Sequence, residues 1–454
     1  ARPFDNPGYH ASARIEGDRN DLSRKNGVKL SGVVSNTFND NKMGFILGAV
    51  LSDREVRTDS LGYQTFNADA PGSFDLDGNG SLGPDEQNLL GSCCISFGSI
   101  FEKKKRAALT GAFEWKVTPD FRMTFDALAT RLDSPQVGYQ QSYYVEHAAD
   151  RWSDVTTKDG LITGMTIKDL VPEMSNVTTD RVVDTMQFGW KGEWKVNRDL
   201  RLVGDVYRST SKRDSGGKDN FVVAGIAGRN TGYYRANHNA FPDIRVQLED
   251  GRDLATELNA GRLGDKDFGV HFAGLTGVDI KDTVDGGSLE GRLSLDGKWN
   301  VDAFEFGVSG TSREKTRTSV GNEKGGGACQ YCGMYSTTFA NLGANVLRPM
   351  TLPNYMRGAG GNFPTGFVAF DVPAYFKALE SLNGQPVIGD DGQPTGDVYD
   401  TSKSQPVFVP TDSYDVRERT ATLFGQFELS GERWNGNLGG RVGHTKTRSR
   451  SAIH

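Results

Sequence analysis

Alternation is the feature that most constrains this chain. Over residues 288–301, Leu289, Gly291, Leu293, Leu295, Gly297, Trp299 and Val301 share one parity. Ser288, Glu290, Arg292, Ser294, Asp296, Lys298 and Asn300 share the other. Successive side chains of a strand point to opposite faces. The segment therefore reads as a strand with one apolar and one charged face, suited to a sheet that separates lipid from water.

The pattern recurs as ribbons of two strands joined by a short turn. Strand candidates are residues 9–16, 28–38, 43–54, 106–117, 121–132, 184–196, 200–211, 288–301, 303–313, 419–429 and 437–447. Turn-forming residues separate the members of each ribbon: Asn39-Asp40-Asn41-Lys42, Thr118-Pro119-Asp120, Asn197-Arg198-Asp199, Asp302, and Gly431-Glu432-Arg433. The count is about eleven strands. Between ribbons lie polar segments at about 57–105, 133–181, 213–286 and 316–416. Connections that long are unusual in compact domains. Short turns at one end and long loops at the other are the asymmetry of transmembrane β-barrels, whose short turns are periplasmic and long loops extracellular. Trp115, Phe121, Trp190, Trp194, Trp299, Phe304 and Trp434 cluster near the short turns, as an interfacial aromatic girdle would. The expected fold is all-β, a transmembrane antiparallel β-barrel. The competing fold is a soluble sandwich with ordinary strand aromatics.

Composition agrees. Hydrophobic residues make up 36% of the chain, below the roughly 45–50% of globular proteins, and a barrel with a wet interior needs less core. A net charge of −6 argues against a nucleic-acid partner, since phosphate binding needs clustered positive charge. The longest apolar run, residues 43–51, is far short of the roughly 20 residues of a spanning helix, whereas a spanning strand needs only about 9–11. The six histidines are scattered, and no H-E-x-x-H, G-x-S-x-G or P-loop motif occurs. No enzyme activity is expected.

Several segments resemble TonB-dependent outer-membrane receptors, most closely the long-loop group of Caulobacter-like and sphingomonad bacteria. They are Arg2-Pro3-Phe4-Asp5, Ala11-Ser12-Ala13-Arg14-Ile15-Glu16, Gly32-Val33-Val34-Ser35-Asn36-Thr37-Phe38 and Gly436-Asn437-Leu438-Gly439-Gly440-Arg441-Val442. The resemblance covers the whole chain, the loops in style only. It implies a barrel of 22 strands closed by an N-terminal plug, in the outer membrane of a Gram-negative bacterium. It also implies import of a scarce nutrient, an oligosaccharide or iron chelate, powered by a TonB-type periplasmic partner. Set against that pattern, residues 1–454 are read as an internal fragment. Plug, N-terminal box and an aromatic-ended last strand are all missing. A passive porin-like channel and a secreted calcium-stabilised binding protein are the alternatives.

Four sets of candidate residues stand out. Asp75-Leu76-Asp77-Gly78-Asn79-Gly80-Ser81-Leu82-Gly83-Pro84-Asp85-Glu86 matches the calcium-loop pattern D-x-[DN]-x-[DN]-G-x₅-E. Asp75, Asp77 and Asn79 would supply oxygens on alternate residues, Ser81 a carbonyl and Glu86 a bidentate carboxylate, with Gly80 at the sharp turn. Residues 85–90 fit a short exiting helix; the bland reading is a solvated acidic loop. Cys93, Cys94, Cys329 and Cys332 fall in predicted loops and are expected to be oxidised, by a local Cys329–Cys332 bridge or by cross-loop pairing. Tyr139, Tyr143, Tyr144, Trp152, Tyr233 and Tyr234 would either stack on a flat ligand or pack the loops against themselves. On the charged parity, Glu114, Lys116, Arg122, Asp126, Lys191, Glu193, Lys195, Arg201, Asp205, Glu290, Arg292 and Glu305 would either contact a plug or solute or pair with one another. Residues 371–379 read as a short capped helix within the longest loop.

Overall fold

The computed structural model describes residues 2–63, 71–91, 94–145, 151–237, 241–295, 300–324, 326–388 and 393–452. Its dominant element is one antiparallel sheet. In chain order its strands are β1 (His10–Asn20), β2 (Lys25–Phe38), β3 (Met43–Tyr63), β4 (Cys94–Thr118), β5 (Phe121–Asp133), β6 (Gln136–Tyr144) and β7 (Pro172–Thr179). They continue as β8 (Val182–Lys195), β9 (Leu200–Asp214), β10 (Asp219–Gly225), β11 (Gly269–Ser294), β12 (Val301–Gly321), β13 (Tyr414–Gly431) and β14 (Trp434–Ser451), with a two-residue strand, Val407–Phe408, paired to the end of β12. The lower wall runs β1-β2-β3-β4-β5-β8-β9-β11-β12-β13-β14, which is eleven strands. All eleven sequence candidates lie on it.

Five short turns share one edge of this wall, and the turn at residues 21–24 between β1 and β2 lies at the other. Asn39, Asp40 and Asn41 hold φ of 58°, 55° and 58°, a left-handed conformation that Asn and Asp tolerate better than bulkier residues. One turn lies elsewhere than expected. β11 ends at Ser294 and β12 begins at Val301, so Val301 belongs to the returning strand and the reversal precedes Asp302. Asn300 supplies the left-handed residue, with φ 62°. The Leu295 N–H donates to the Asp302 carbonyl at 2.8 Å. Trp299 lies outside the described residues.

The strands also rise far above the expected wall. Four long segments read as loops contain strand: β3 and β4 reach Tyr63 and Cys94, and β11 starts at Gly269. Between β4 and β11 the upper wall is β6, β7 and β10. The hairpin partners Asp133↔Val182 and Gln136↔Thr179 keep one register across the junction. β6 and β7 are thus upward continuations of β5 and β8. A seam at Ser134-Pro135, where the Ser134 N–H donates to the Arg181 carbonyl at 2.8 Å, separates the two storeys. Proline at 135 forfeits a ladder donor, which interrupts the sheet there.

Parity explains how the two faces differ. Below the seam, Leu109, Phe125, Phe188, Val206, Val308 and Leu423 are exposed on one face, Phe188 at 61%. β5 has 13 residues, more than the about 9–11 a tilted strand needs to cross a bilayer. This is a transmembrane β-barrel wall with a bare apolar face. On β4 the same parity continues upward as Phe101, Ser99, Phe97 and Ile95, and there Ile95 and Phe97 are fully buried. A cap covers them. Its core gathers Phe97, Tyr143, Phe268, Phe339, Phe367 and Tyr375. The cap carries a second sheet, built on Trp152–Lys158, Leu161–Lys168, Thr231–Arg235 and Asp243–Gln247. It also holds two helices, α1 (Leu254–Asn259) and α2 (Val372–Glu380). The helix expected at 371–379 is α2: the Ala374 N–H donates to the Asp371 carboxylate at 3.1 Å, a side-chain N-cap. Among the described residues no helix is long and apolar enough to cross a membrane.

Candidate functional site

On the opposite, charged face of the lower wall, ion pairs join neighbouring strands. Glu193 accepts from Arg122 at 2.8 Å and Arg201 at 2.6 Å, and lies 2.8 Å from the Lys191 ammonium. Arg292 bridges Glu305 at 3.5 Å and Glu428 at 2.5 Å. Mutual pairing, one of the two readings of these charges, holds for Arg122, Lys191, Glu193, Arg201, Arg292 and Glu305. The N-terminal segment lies on this face. Phe4 N–H donates to Glu114 at 3.0 Å, Lys116 sits 4.3 Å above the Phe4 ring, and Arg2 is 3.7 Å from Asp126.

In the acidic loop, Asp75, Asp77 and Glu86 each bring a ligand oxygen within 4.8 Å of the others, the one such cluster among the described residues. Gly80 at φ 80° turns the chain. Asp75 accepts from the Asn79 and Gly80 N–H groups at 3.0 and 2.7 Å, and the Gly80 bond foremost holds its carboxyl below the usual range. Glu86 is buried and accepts from Leu76 and Gly83 N–H, both at 2.7 Å. Asn79 turns its amide to Asp77 and its carbonyl to Ser81. The exiting helix is not formed. Pro84–Glu86 is a single 3-10 turn and Leu89–Leu90 a strand, because Leu89 is drawn into the cap core. Three convergent carboxylates fit a hard, oxygen-ligated cation.

Cys329 and Cys332 are bridged, the local pairing. Cys94 is also disulfide-bonded, and Cys93 lies outside the described residues. The six loop aromatics do not share one cavity. Tyr143, Trp152 and Tyr234 are buried in the cap core, so packing accounts for them: Trp152 donates to the Val145 carbonyl at 2.8 Å and stacks on Phe74. Tyr139 packs edge-on against Phe101. Tyr233 is exposed beneath the Arg245 guanidinium. Tyr144 alone among them lines a cavity with buried titratable groups.

That cavity, of about 500 Å³, sits on the upper wall. Register places it on the face that is charged below the seam. Tyr144 ends β6, Glu173 is on β7, Phe221 and Val223 on β10, and His271 and Phe272 on β11. Tyr335 comes down from the loop between β12 and β13. Glycines admit it. Gly225 and Gly269 are cross-strand partners. A Cβ at Gly225 would lie 2.7 Å from the Tyr335 ring, and one at Gly269 1.9 Å from its carbonyl oxygen. The Tyr335 hydroxyl donates to Glu173 Oε1 at 2.7 Å. His271 Nε2 lies 3.5 Å from the same oxygen. The ring of His271 stacks on Tyr335 at 4.8 Å. Gly333 N–H donates to His271 Nδ1 at 2.9 Å, which places the imidazole proton on Nε2. His271 is a bulge residue, skipped between Val223↔Phe272 and Ala224↔Val270, and bulges re-aim side chains. Burial raises Glu173 to about 7, opposed by the tyrosine hydrogen bond, and lowers His271.

No protein-family model matches the chain. No curated protein matches it either. Among solved structures it is similar to a FadL homologue of Pseudomonas aeruginosa, at 8% identity over 97% of this chain and 87% of that one, with a TM-score of 0.18. It is similar to the ferric enterobactin receptor of Pseudomonas aeruginosa at 6% identity, over 97% and 73%, with a TM-score of 0.20. The siderophore receptor PiuA of Acinetobacter baumannii gives 8% identity, 98% and 78%, and a TM-score of 0.19. At these scores none of the three fixes a fold or a function for this chain.

The sequence did not single out Glu173, His271 or Tyr335. Glu173 and Tyr335 are 162 residues apart, and no local spacing announces a site built by strand register.

Proposed function

We propose that the chain forms the wall and extracellular cap of a TonB-dependent receptor in the outer membrane of a Gram-negative bacterium. In this reading the cap binds a scarce nutrient, an oligosaccharide or iron chelate, and the parent protein imports it with energy from its periplasmic partner. One observation carries the reading: a continuous antiparallel wall, bare and apolar on one face below the seam, with short turns at one edge and a packed cap at the other. Such a bare face is costly in water and stable in lipid. The motif segments quoted above support it by their places. Ala11–Glu16 lies on β1, Gly32–Phe38 on β2, and Gly436–Val442 on β14.

A passive channel would use the same wall. The folded cap and its cavity favour a binding step over free passage. The role is transport, with no catalytic step. Calcium is proposed as a structural ion at Asp75, Asp77 and Glu86, bracing a loop of the cap. The experiment is growth of a deletion strain on single nutrients, with recovery of the protein in outer-membrane fractions. Ligand-dependent loss of growth supports import; unchanged growth on every nutrient, or recovery in the aqueous fraction, refutes it.

A further inference from the structure

The cavity at Glu173 has a composition that import alone does not require. Its floor is a carboxyl at 4% exposure. The hydroxyl of Tyr335 and Nε2 of His271 both address Oε1, and Oε2 accepts no hydrogen bond among the described residues. The elements packed against Glu173 offer Tyr144 from β6, Phe221 from β10, His271 and Phe272 from β11, and Tyr335 from the loop. None of these carries a permanent positive charge. Arg151 and Asp169 also line the cavity; the Arg151 guanidinium donates to the Asp169 backbone carbonyl at 2.8 Å and makes no ion pair with Glu173.

A buried carboxylate without a cation is expensive, by several kcal/mol. Aromatic faces add their own attraction for positive charge. The cavity volume of about 500 Å³ falls within the range of small-ligand sites. We propose that this cavity binds an organic cation, an amine or quaternary ammonium group, seated on the Glu173 carboxylate and enclosed by the rings of Tyr144, Phe221, Phe272 and Tyr335.

A proton linkage follows. Burial keeps Glu173 near 7, so at neutral pH the empty site is about half protonated. A bound cation favours the ionised form. Binding then releases a proton, and affinity falls as pH drops through 7.

The proposal rests on the receptor reading for why a ligand is captured, but its test does not. Binding is measured on the full chain in detergent micelles, without transport. The probes are choline and its neutral carbon isostere 3,3-dimethylbutan-1-ol, by calorimetry at pH 8. Choline is expected to bind at least about 10-fold more tightly, and Glu173→Gln to abolish that preference. Tyr144→Leu, at a position 39% exposed, is expected to weaken choline by about 2- to 10-fold and the alcohol by less. Between pH 7 and pH 6 the choline affinity should fall by about 5-fold. Equal binding of the two probes, no binding of either, or a choline preference that survives Glu173→Gln would overturn the proposal. Each of these outcomes leaves the receptor reading to its own fractionation and growth tests.

Discussion

Replacing Arg57 by Met should loosen the cap from the wall. Arg57 is 2% exposed on the upper part of β3. Its Nε donates to Asp59 Oδ1 at 2.7 Å and Ser99 Oγ at 3.2 Å, and its Nη2 to Asp59 Oδ2 at 2.9 Å. Its Nη1 reaches the Leu22 carbonyl at 3.1 Å and the Pro353 carbonyl at 2.9 Å. Asp59 in turn accepts from the Met356 N–H at 3.2 Å. One ion pair therefore ties the wall to residues 353–356 of the cap. Met fills similar volume but leaves the Asp59 carboxylate buried, at 5% side-chain exposure, with only Ser99 and Met356 to satisfy it. Breaking a buried pair from one side costs about 3–5 kcal/mol. The double variant Arg57→Met, Asp59→Leu removes both charges and should recover most of that loss. Hydrogen exchange at the Met356 amide, measured in micelles, reads the local opening. An acceleration of that exchange by less than about 5-fold in Arg57→Met, which is under 1 kcal/mol, or a double variant no better than the single, would refute this role for the ion pair.

Three further outcomes follow from the same geometry. Glu173 has a folded pKa above its ordinary value, so the folded state holds a proton that the unfolded state releases. Stability is therefore full near pH 4.5 and declines as pH rises towards 7, by about 3 kcal/mol at about 1.4 kcal/mol per unit; thermal melts of the cap between pH 5 and 8 should show that decline, and Glu173→Gln should flatten it. Gly269→Val should displace the Tyr335 loop, since a Cβ there meets backbone at 1.9 Å, and loss of choline binding with an intact wall in circular dichroism is the expected readout. For the acidic loop, calcium should slow protease nicking near residues 72–88; identical cleavage in calcium and chelator, or an unchanged calcium effect in Glu86→Gln, would remove calcium from the account.

The wall was legible because its period is local. Leu289 and Glu290 announce opposite faces without knowledge of any partner strand, and turn residues such as Asn39-Asp40-Asn41 mark the reversals. The helix α2 was legible for the same reason, since its Asp371 cap and apolar stripe are neighbours in sequence. The upper storey was not. There the sheet is covered by the cap, so Phe97 and Phe101 alternate with serine and glycine on a strand buried unevenly on its two faces. That pattern resembles loop more than membrane strand. Loop aromatics misdirect for a related reason: Tyr143 and Trp152 serve a core that exists only once four distant segments meet. The acidic loop carries its whole signal in twelve consecutive residues, whereas the Glu173 cavity depends on cross-strand register and on Gly225 and Gly269 giving room to a distant tyrosine.

One face of the lower wall meets lipid and the other meets water. β8 tests it best, because Met186 and Phe188 are exposed apolar residues while Gln187 and Lys191 fall on the charged parity. No free cysteine is present among the described residues, so single cysteines at positions 186, 187, 188 and 191 can carry a spin label. In reconstituted bilayers, labels at 186 and 188 should collide with lipid-soluble oxygen and be shielded from an aqueous nickel complex, with the reverse at 187 and 191. Equal exposure of all four labels to the aqueous probe would contradict a transmembrane wall.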